Sequence, residues 1–148
     1  MGISIYTTSN NTTDPVSEDG EFTNPLLVSL DGKNGGVLQK RLYLHNNSPT
    51  LSYSGIDLTV VDEVGFSVVD GEHGFSWKLR EGDLQPTDEE WKVIDPGNEI
   101  SFSGIGNDLV TDTSTYLPFW VRVEIPRNTS VQTITDVQFQ LTGQEILV

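Results

Sequence analysis

Apolar and polar residues alternate along most of the chain from Asn24 onward. Alternation with a period of two, interrupted by turn residues, is typical of β-strands that bury one face. In the clearest strand, residues 119–125, the odd-numbered residues are apolar and are predicted to face the core, whereas Trp120, Arg122 and Glu124 are predicted to face outward. The other predicted inward rows are Leu26, Val28 and Leu30; Leu38, Lys40, Leu42 and Leu44; Ile56, Leu58 and Val60; Phe66 and Val68; Phe75, Trp77 and Leu79; Ile100 and Phe102; and Val137, Phe139 and Leu141.

The number and spacing of these strands predict the fold class. Seven or eight short strands, separated by turn residues about every ten positions, indicate an all-β protein. A chain of 148 residues is long enough for one domain with its own hydrophobic core. We therefore predict an antiparallel β-sandwich of two sheets, with a small β-barrel as the alternative.

One segment, residues 86–91, breaks the alternation. Thr87 is followed three residues later by Glu90, a spacing at which side chains satisfy the free N–H groups at the start of a helix. We predict one short helical turn here, with Trp91 packed onto the sheet.

The first 24 residues differ from the rest, because they are rich in Ser, Thr, Asn and Asp and contain no Lys or Arg. We interpret residues 1–24 as an extended polar arm and residues 25–148 as the sandwich domain. Ile3, Ile5 and Tyr6 are candidate contact residues that would form a strand on an edge supplied by a partner. A flexible terminus is the alternative. If residues 1–24 are an arm that is mobile in the free protein and ordered on a partner, deletion of residues 2–23 should leave the stability of the domain nearly unchanged and weaken attachment.

The charge of the chain limits its partners. Twenty-two Asp and Glu residues against eight Lys and Arg residues give a formal net charge of −14. Such a surface repels nucleic acid and suits a partner with a basic surface. No apolar run reaches the ~20 residues of a membrane span, and the start of the chain lacks the regions of a signal peptide. We therefore expect synthesis in the cytoplasm and neither a membrane nor a nucleic-acid partner.

The residues that carry catalytic or metal chemistry are sparse. There is no Cys, and a catalytic Ser or Thr requires a base and a third orienting group. His45, at a strand end, and His73, in a loop, are interpreted as ordinary surface residues. Acidic groups could bind calcium, but their spacing differs from that of known calcium loops. We expect no enzyme, cofactor or metal site. The acidic groups are Asp62 and Glu63, Asp70 and Glu72, Asp88 to Glu90, and Asp108 with Asp112.

Trp120 is the best single candidate for a contact residue in the strands. Trp77 shares a face with Leu79 and is predicted to lie in the core, whereas Trp120 lies opposite an apolar row. Exposed aromatic residues on one sheet face are typical of carbohydrate-binding sandwiches. The alternative is that Trp120 packs under the helical turn or a neighbouring loop.

Several short segments are similar in sequence to one known group of proteins. They are Asn24–Leu26, Asp31–Gly36, Arg41–Asn46, Trp77–Leu79, Gln85–Trp91, Thr113–Tyr116 and Pro118–Trp120. With these segments the chain resembles small virion proteins of tailed bacteriophages over about residues 24–148. The resemblance implies an immunoglobulin-like sandwich that decorates or cements the capsid, or lies at the neck or tail. It implies the major capsid protein or other virion proteins as partners, a homo-oligomeric arrangement on the particle, a location in the virion and no catalytic residues.

Two functions follow from these observations. The first is a structural virion component, and the second is a carbohydrate-binding or adhesin module. Several exposed aromatic residues on one face would favour sugar binding, whereas an arm that becomes ordered only in the assembly would favour a cement protein.

Overall fold

A computed structural model describes residues 2–8, 16, 30, 33–48, 50–61, 76–93, 99–105, 116–125, 127–128 and 138–147. These residues form eight strands in two sheets, and every strand pair is antiparallel. The predicted all-β fold with two antiparallel sheets is therefore confirmed. The predicted rows at Leu26 and Val28, at Phe66 and Val68, and at Phe75 and Val137 lie outside the described residues.

Five strands form the larger sheet, in the order β1, β2, β7, β4, β5, and three form the smaller sheet, in the order β6, β3, β8. One short 3₁₀ helix, Asp88–Glu90, lies between β4 and β5. No helix in the described ranges has the length and apolar character needed to cross a membrane. The strands are β1 Ile3–Tyr6, β2 Gly36–Asn46, β3 Leu51–Val61, β4 Ser76–Glu81, β5 Lys92–Val93, β6 Ile100–Ile105, β7 Tyr116–Ile125 and β8 Gln138–Leu147.

The core lies between the two sheets, with Phe119 of β7 at its centre. The ring of Phe119 is fully buried and packs edge-to-face on Phe102 of β6 and Phe139 of β8, with ring centroids 6.4 and 6.0 Å apart. One side chain of the larger sheet thus contacts both outer strands of the smaller sheet. Each such aromatic pair adds about 0.5–1.5 kcal/mol beyond its buried area. The other buried core residues are Ile3, Ile5, Val16, Leu42, Leu44, Tyr53, Ile56, Leu58, Val60, Leu79, Ile100, Ile105, Val121 and Val123.

The alternation predicted for the adjacent strands β2 and β7 is confirmed. Leu42 lies opposite Phe119 on the inner face, whereas Arg41 lies opposite Trp120 on the outer face. Side chains directly opposite each other in an antiparallel pair share a face of the sheet. The inward residues of β2 therefore lie opposite the inward residues of β7.

The 3₁₀ helix confirms the helical turn predicted from the spacing of Thr87 and Glu90. The carboxylate of Glu90 accepts hydrogen bonds from the backbone N–H of Thr87 at 3.1 Å and from its hydroxyl at 2.8 Å. Trp91, directly after the helix, is buried, as predicted.

Residues 3–6 form a strand on this chain's own β2. Ile5 lies opposite Leu44, and Ile3, Ile5 and Tyr6 are all buried. The prediction that these residues need an edge supplied by a partner is therefore wrong. The predicted boundary of the arm at residue 24 lies outside the described residues.

Hydrogen bonds at Gly2 and Ile5 fix β1 in the domain. The carbonyl of Gly2 accepts from the N–H of Asn47 at 2.8 Å, and its own N–H donates to the hydroxyl of Tyr53 at 2.7 Å. Because Tyr53 belongs to the smaller sheet, Gly2 is bonded to both sheets. The carbonyl of Ile5 accepts from the N–H of Val16 at 2.7 Å. Burial and these bonds offset the entropy cost of ordering β1 without a second molecule.

Strand β3 changes face once, at a β-bulge. Tyr53 is buried, and the next buried side chain is Ile56, so the inward positions change from odd to even numbers. The register with β8 shifts between Ser54 and Asp57, which places one extra residue in β3. Gly55 lies in this bulge with a φ of 56°, in the left-handed region that other residues adopt only with strain.

The core position of β1 leads to a prediction that reverses the one made from the sequence. Ile5→Ala should lower the free energy of unfolding by about 2–5 kcal/mol, because it leaves a cavity in the core. Ser4→Ala, the control, should change it by about 0.5 kcal/mol or less. Urea denaturation measures both, and deletion of residues 2–23 should destabilise the domain for the same reason. An Ile5→Ala midpoint equal to that of the unchanged chain would show that β1 contributes nothing to the core.

The bulge yields a second prediction. A Cβ at Gly104 would lie 2.8 Å from the carbonyl oxygen of Tyr53, whereas a Cβ at Gly55 would meet no atom within 4 Å. Gly55→Ala should therefore cost only backbone strain, about 1–2 kcal/mol, and Gly104→Ala should cost more. Gly55→Asn should cost less than Gly55→Ala, since Asn tolerates the left-handed region. Unfolding midpoints in urea give the order of the three variants, and an unaffected Gly104→Ala would contradict the close approach of β6 to β3.

Candidate contact surface on the larger sheet

The outer face of the larger sheet combines aromatic and basic side chains. They occupy alternate positions of β2, β4 and β7, between the residues that face the core. Four of the eight Lys and Arg residues of the chain are among them, although its net charge is −14. We name this set the outer patch; its members are Arg41, Tyr43, Lys78, Arg80, Tyr116, Pro118, Trp120 and Arg122.

Arg41 is held in place by contacts on several sides. Its guanidinium lies 5.4 Å from the ring centroid of Tyr43 and 6.0 Å from that of Trp120. The same group donates a hydrogen bond to the carboxylate of Asp83 at 2.9 Å. Exposed cation–π contacts contribute about 0.5–1 kcal/mol each. The long side chain of Arg41 therefore already has contacts on several sides before any partner binds.

Trp120 faces outward, as the alternation predicts, and is partly buried. Its indole N–H donates to the backbone carbonyl of Asp83 at 3.1 Å. A neighbouring loop thus contacts one edge of the indole, as in the alternative interpretation, and part of the side chain stays exposed. A role of Trp120 in binding stays a prediction.

Residues 82–85, between β4 and the 3₁₀ helix, form a loop anchored on the outer patch. The N–H of Gly82 donates to a carbonyl of β7 at 3.0 Å. The side-chain amide of Gln85 donates to that of Gln39 in β2 at 2.6 Å. Arg41 of β2 and Trp120 of β7 also donate hydrogen bonds to Asp83. The loop is therefore bonded to β2 and β7 near both of its ends.

The 3₁₀ helix that follows is also joined to the larger sheet. Arg122 donates to Asp88 at 2.9 Å, and Arg80 lies 3.6 Å from the carboxylate of Glu90. Exposed ion pairs of this kind contribute little to stability, about 0–1 kcal/mol each. Their effect here is to orient the segment 82–90 across the outer face.

His45 is buried, with 6% of its surface exposed, so its interpretation as an ordinary surface residue is wrong. Its ring stacks on Tyr116 at a centroid distance of 4.3 Å and meets Tyr6 edge-on at 5.9 Å. Burial raises the pKa of the Tyr116 hydroxyl, and the nearby Tyr6 adds to the increase. The sequence pattern alone does not reveal the pairing of β1 with β2. This pairing brings Tyr6 to His45.

Only some of the residues considered for catalysis or metal binding lie within the described ranges. Of the acidic groups considered for calcium, Asp88 to Glu90 lies within the described ranges, and two of its carboxylates pair with arginines of the outer patch. Within those ranges no group of three or more His, Cys, Asp or Glu side chains is placed to hold a metal ion. His73 and the other acidic groups lie outside the described residues.

Comparison with known protein families, curated proteins and solved structures gives no match for the chain. The fold and the surface define the class: a small antiparallel β-sandwich with an aromatic and basic face on its larger sheet. The resemblance to virion proteins of tailed bacteriophages stays a prediction.

The contact between Thr87 and Glu90 leads to a prediction about pH. Hydrogen bonds from the backbone N–H and the hydroxyl of Thr87, and then the charge of Arg80, lower the pKa of Glu90 against a smaller opposing effect of burial. Because its pKa is lower in the folded state, Glu90 stabilises the fold above its unfolded-state pKa. This stabilisation is lost as the pH falls through the folded-state pKa.

Thr87→Ala removes the hydroxyl donor, so the pKa of Glu90 should rise toward its ordinary value. Thr87→Ser keeps a hydroxyl and should leave the pKa low. The measurement is an NMR titration of the side-chain carboxyl carbon of Glu90 in both variants. Equal titration midpoints for the Ala and Ser variants would show that the hydroxyl has no effect on this pKa.

Proposed function

We propose that this chain is a non-enzymatic structural protein of a tailed-phage virion, which decorates or cements the capsid by docking through the outer patch. The observation that carries the proposal is the fixed position of Arg41 between Tyr43, Trp120 and Asp83 on the outer sheet face. Trp, Tyr and Arg are the residues that most often dominate the energy of protein interfaces.

The fixed shape of the outer patch supports docking onto another protein. Association costs free energy for every side chain and loop that must be ordered at the interface. Arg41 is bonded to Asp83 of the loop 82–85, and the loop is bonded to Gln39 of β2 and to Pro118 and Trp120 of β7, so part of this cost is already met before binding.

A symmetric shell suits such a surface. Many copies of the chain, bound at equivalent positions, turn a modest single contact into a stable layer. The high negative charge of the chain favours a basic partner surface over nucleic acid. Attachment through the sheet also replaces attachment through the N-terminal segment, because Ile3, Ile5 and Tyr6 are buried in this domain.

A carbohydrate-binding or adhesin module is the second candidate. It is favoured by three partly exposed aromatic side chains on one sheet face, those of Tyr43, Tyr116 and Trp120. Sugar rings stack on free aromatic faces. Arg41 lies over two of these rings, which leaves less free aromatic surface for a sugar and favours the first candidate.

The proposal is tested by adding the purified chain back to phage particles that lack it. Saturable co-sedimentation is expected, and Arg41→Ala should weaken it at least about tenfold because it removes the side chain that contacts Tyr43, Trp120 and Asp83 in the outer patch. Arg127→Ala, the matched control, removes the same charge from an exposed turn after β7 and should bind like the unchanged chain.

Two results would contradict the proposal. The first is the absence of particle binding by the unchanged chain. The second is saturable binding to glycans, abolished by Trp120→Ala, without binding to particles, which would favour the carbohydrate-binding module.

A further inference from the structure

We propose that Leu84 is a docking residue, which the loop 82–85 presents to an apolar pocket with a basic rim on the shell protein. This inference rests on the proposed function and adds the chemistry of the contact. Leu84 lies in the middle of this loop. Neither the sequence pattern nor the resemblance predicted a binding site there.

The first observation is the exposure of Leu84. The residue is 86% exposed, more than any other large hydrophobic residue in the described ranges. Leu147 follows with 79% and lies at the end of β8, in the smaller sheet. A single exposed leucine is common on protein surfaces, so exposure alone does not make Leu84 a site.

The second observation is the way in which the loop is held. Asp83, before Leu84, is bonded through its carboxylate to Arg41 and through its carbonyl to Trp120. Gln85, after it, is bonded to Gln39. The residues on both sides of Leu84 are thus bonded to the larger sheet, Asp83 through its backbone carbonyl and its carboxylate and Gln85 through its side-chain amide, while Leu84 itself is exposed. When such a residue enters a pocket, less backbone freedom is left to lose, and the remaining cost is the rotamer freedom of the leucine side chain.

The surrounding charges indicate the chemistry of the partner. The arginines of the outer patch are paired with acids, among them Asp83 and Asp88, whose carboxylates stay largely exposed to water, that of Asp88 with 92% of its side chain exposed. Glu89, between the two anchored ends of the segment, is also exposed. Because the arginines are matched by acids and Glu89 adds a further negative charge, the rim that complements this segment is basic. A second copy of this chain, with a net charge of −14, or an anionic membrane would be repelled.

The test uses the same add-back of purified chain to particles. Leu84→Ser should weaken binding about tenfold or more, because it removes the apolar contact. Leu84→Met keeps an apolar side chain and should bind nearly as well as the unchanged chain. Leu147→Ser is the matched control, since it makes the same change at a similarly exposed leucine of the smaller sheet. The unfolding temperature of all three should stay close to that of the unchanged chain.

The rim is tested by salt. Attraction between an acidic surface and a basic rim is screened, so the affinity of the unchanged chain should fall as the salt concentration rises. An affinity that does not change with salt would overturn the basic rim. If Leu84→Ser binds as tightly as the unchanged chain, the docking role of Leu84 is wrong while the proposed function stands. If the unchanged chain does not bind, the proposed function fails, and the docking role fails with it.

Discussion

The contacts of Phe119 with Phe102 and Phe139 join the two sheets, and the outer patch depends on them. Side chains along a strand point to alternate faces, so the burial of Phe119 places Pro118 and Trp120 on the outside. The pairing of β2 with β7 extends this order, because Leu42 lies opposite Phe119 and Arg41 lies opposite Trp120. A slip of one residue in the pairing would turn both faces over. The core and the candidate contact surface are therefore specified by the same register.

The long strands could be predicted from the sequence because each carries its own signal. The alternation in β2 and β7 extends over enough residues to separate the inner face from the outer, and the spacing of Thr87 and Glu90 marks the helical turn. β1 is different. Its four residues predict a strand, but they do not indicate whether it pairs with a sheet edge of this chain or with a sheet edge of another molecule. The burial of His45 follows from β1, since Tyr6 packs on its ring. These features depend on contacts between residues far apart in the chain, which a local pattern does not contain.

The structure changes the basis of the proposed attachment. An arm that orders on a partner would have to gain enough contacts to offset its entropy cost at the moment of binding. The outer patch and the loop 82–85 are ordered by the domain itself, because Arg41 and Trp120 donate hydrogen bonds to Asp83 and Gln85 donates one to Gln39. An ordered surface of this kind costs less to dock, and its acidic surroundings direct it toward basic partners. The sandwich thus supplies the proposed binding surface, and the N-terminal strand supplies part of the sandwich.

Hydrogen exchange of the free and the particle-bound chain tests this account most directly. The amide groups of residues 3–6 that are hydrogen-bonded to β2 should already exchange slowly in the free protein, because this strand pair is part of the buried domain. Binding should leave them unchanged and should slow exchange in residues 82–85 and 118–122. The opposite pattern would contradict the account: fast exchange of residues 3–6 in the free protein, slowed only on the particle, with no change at residues 82–85.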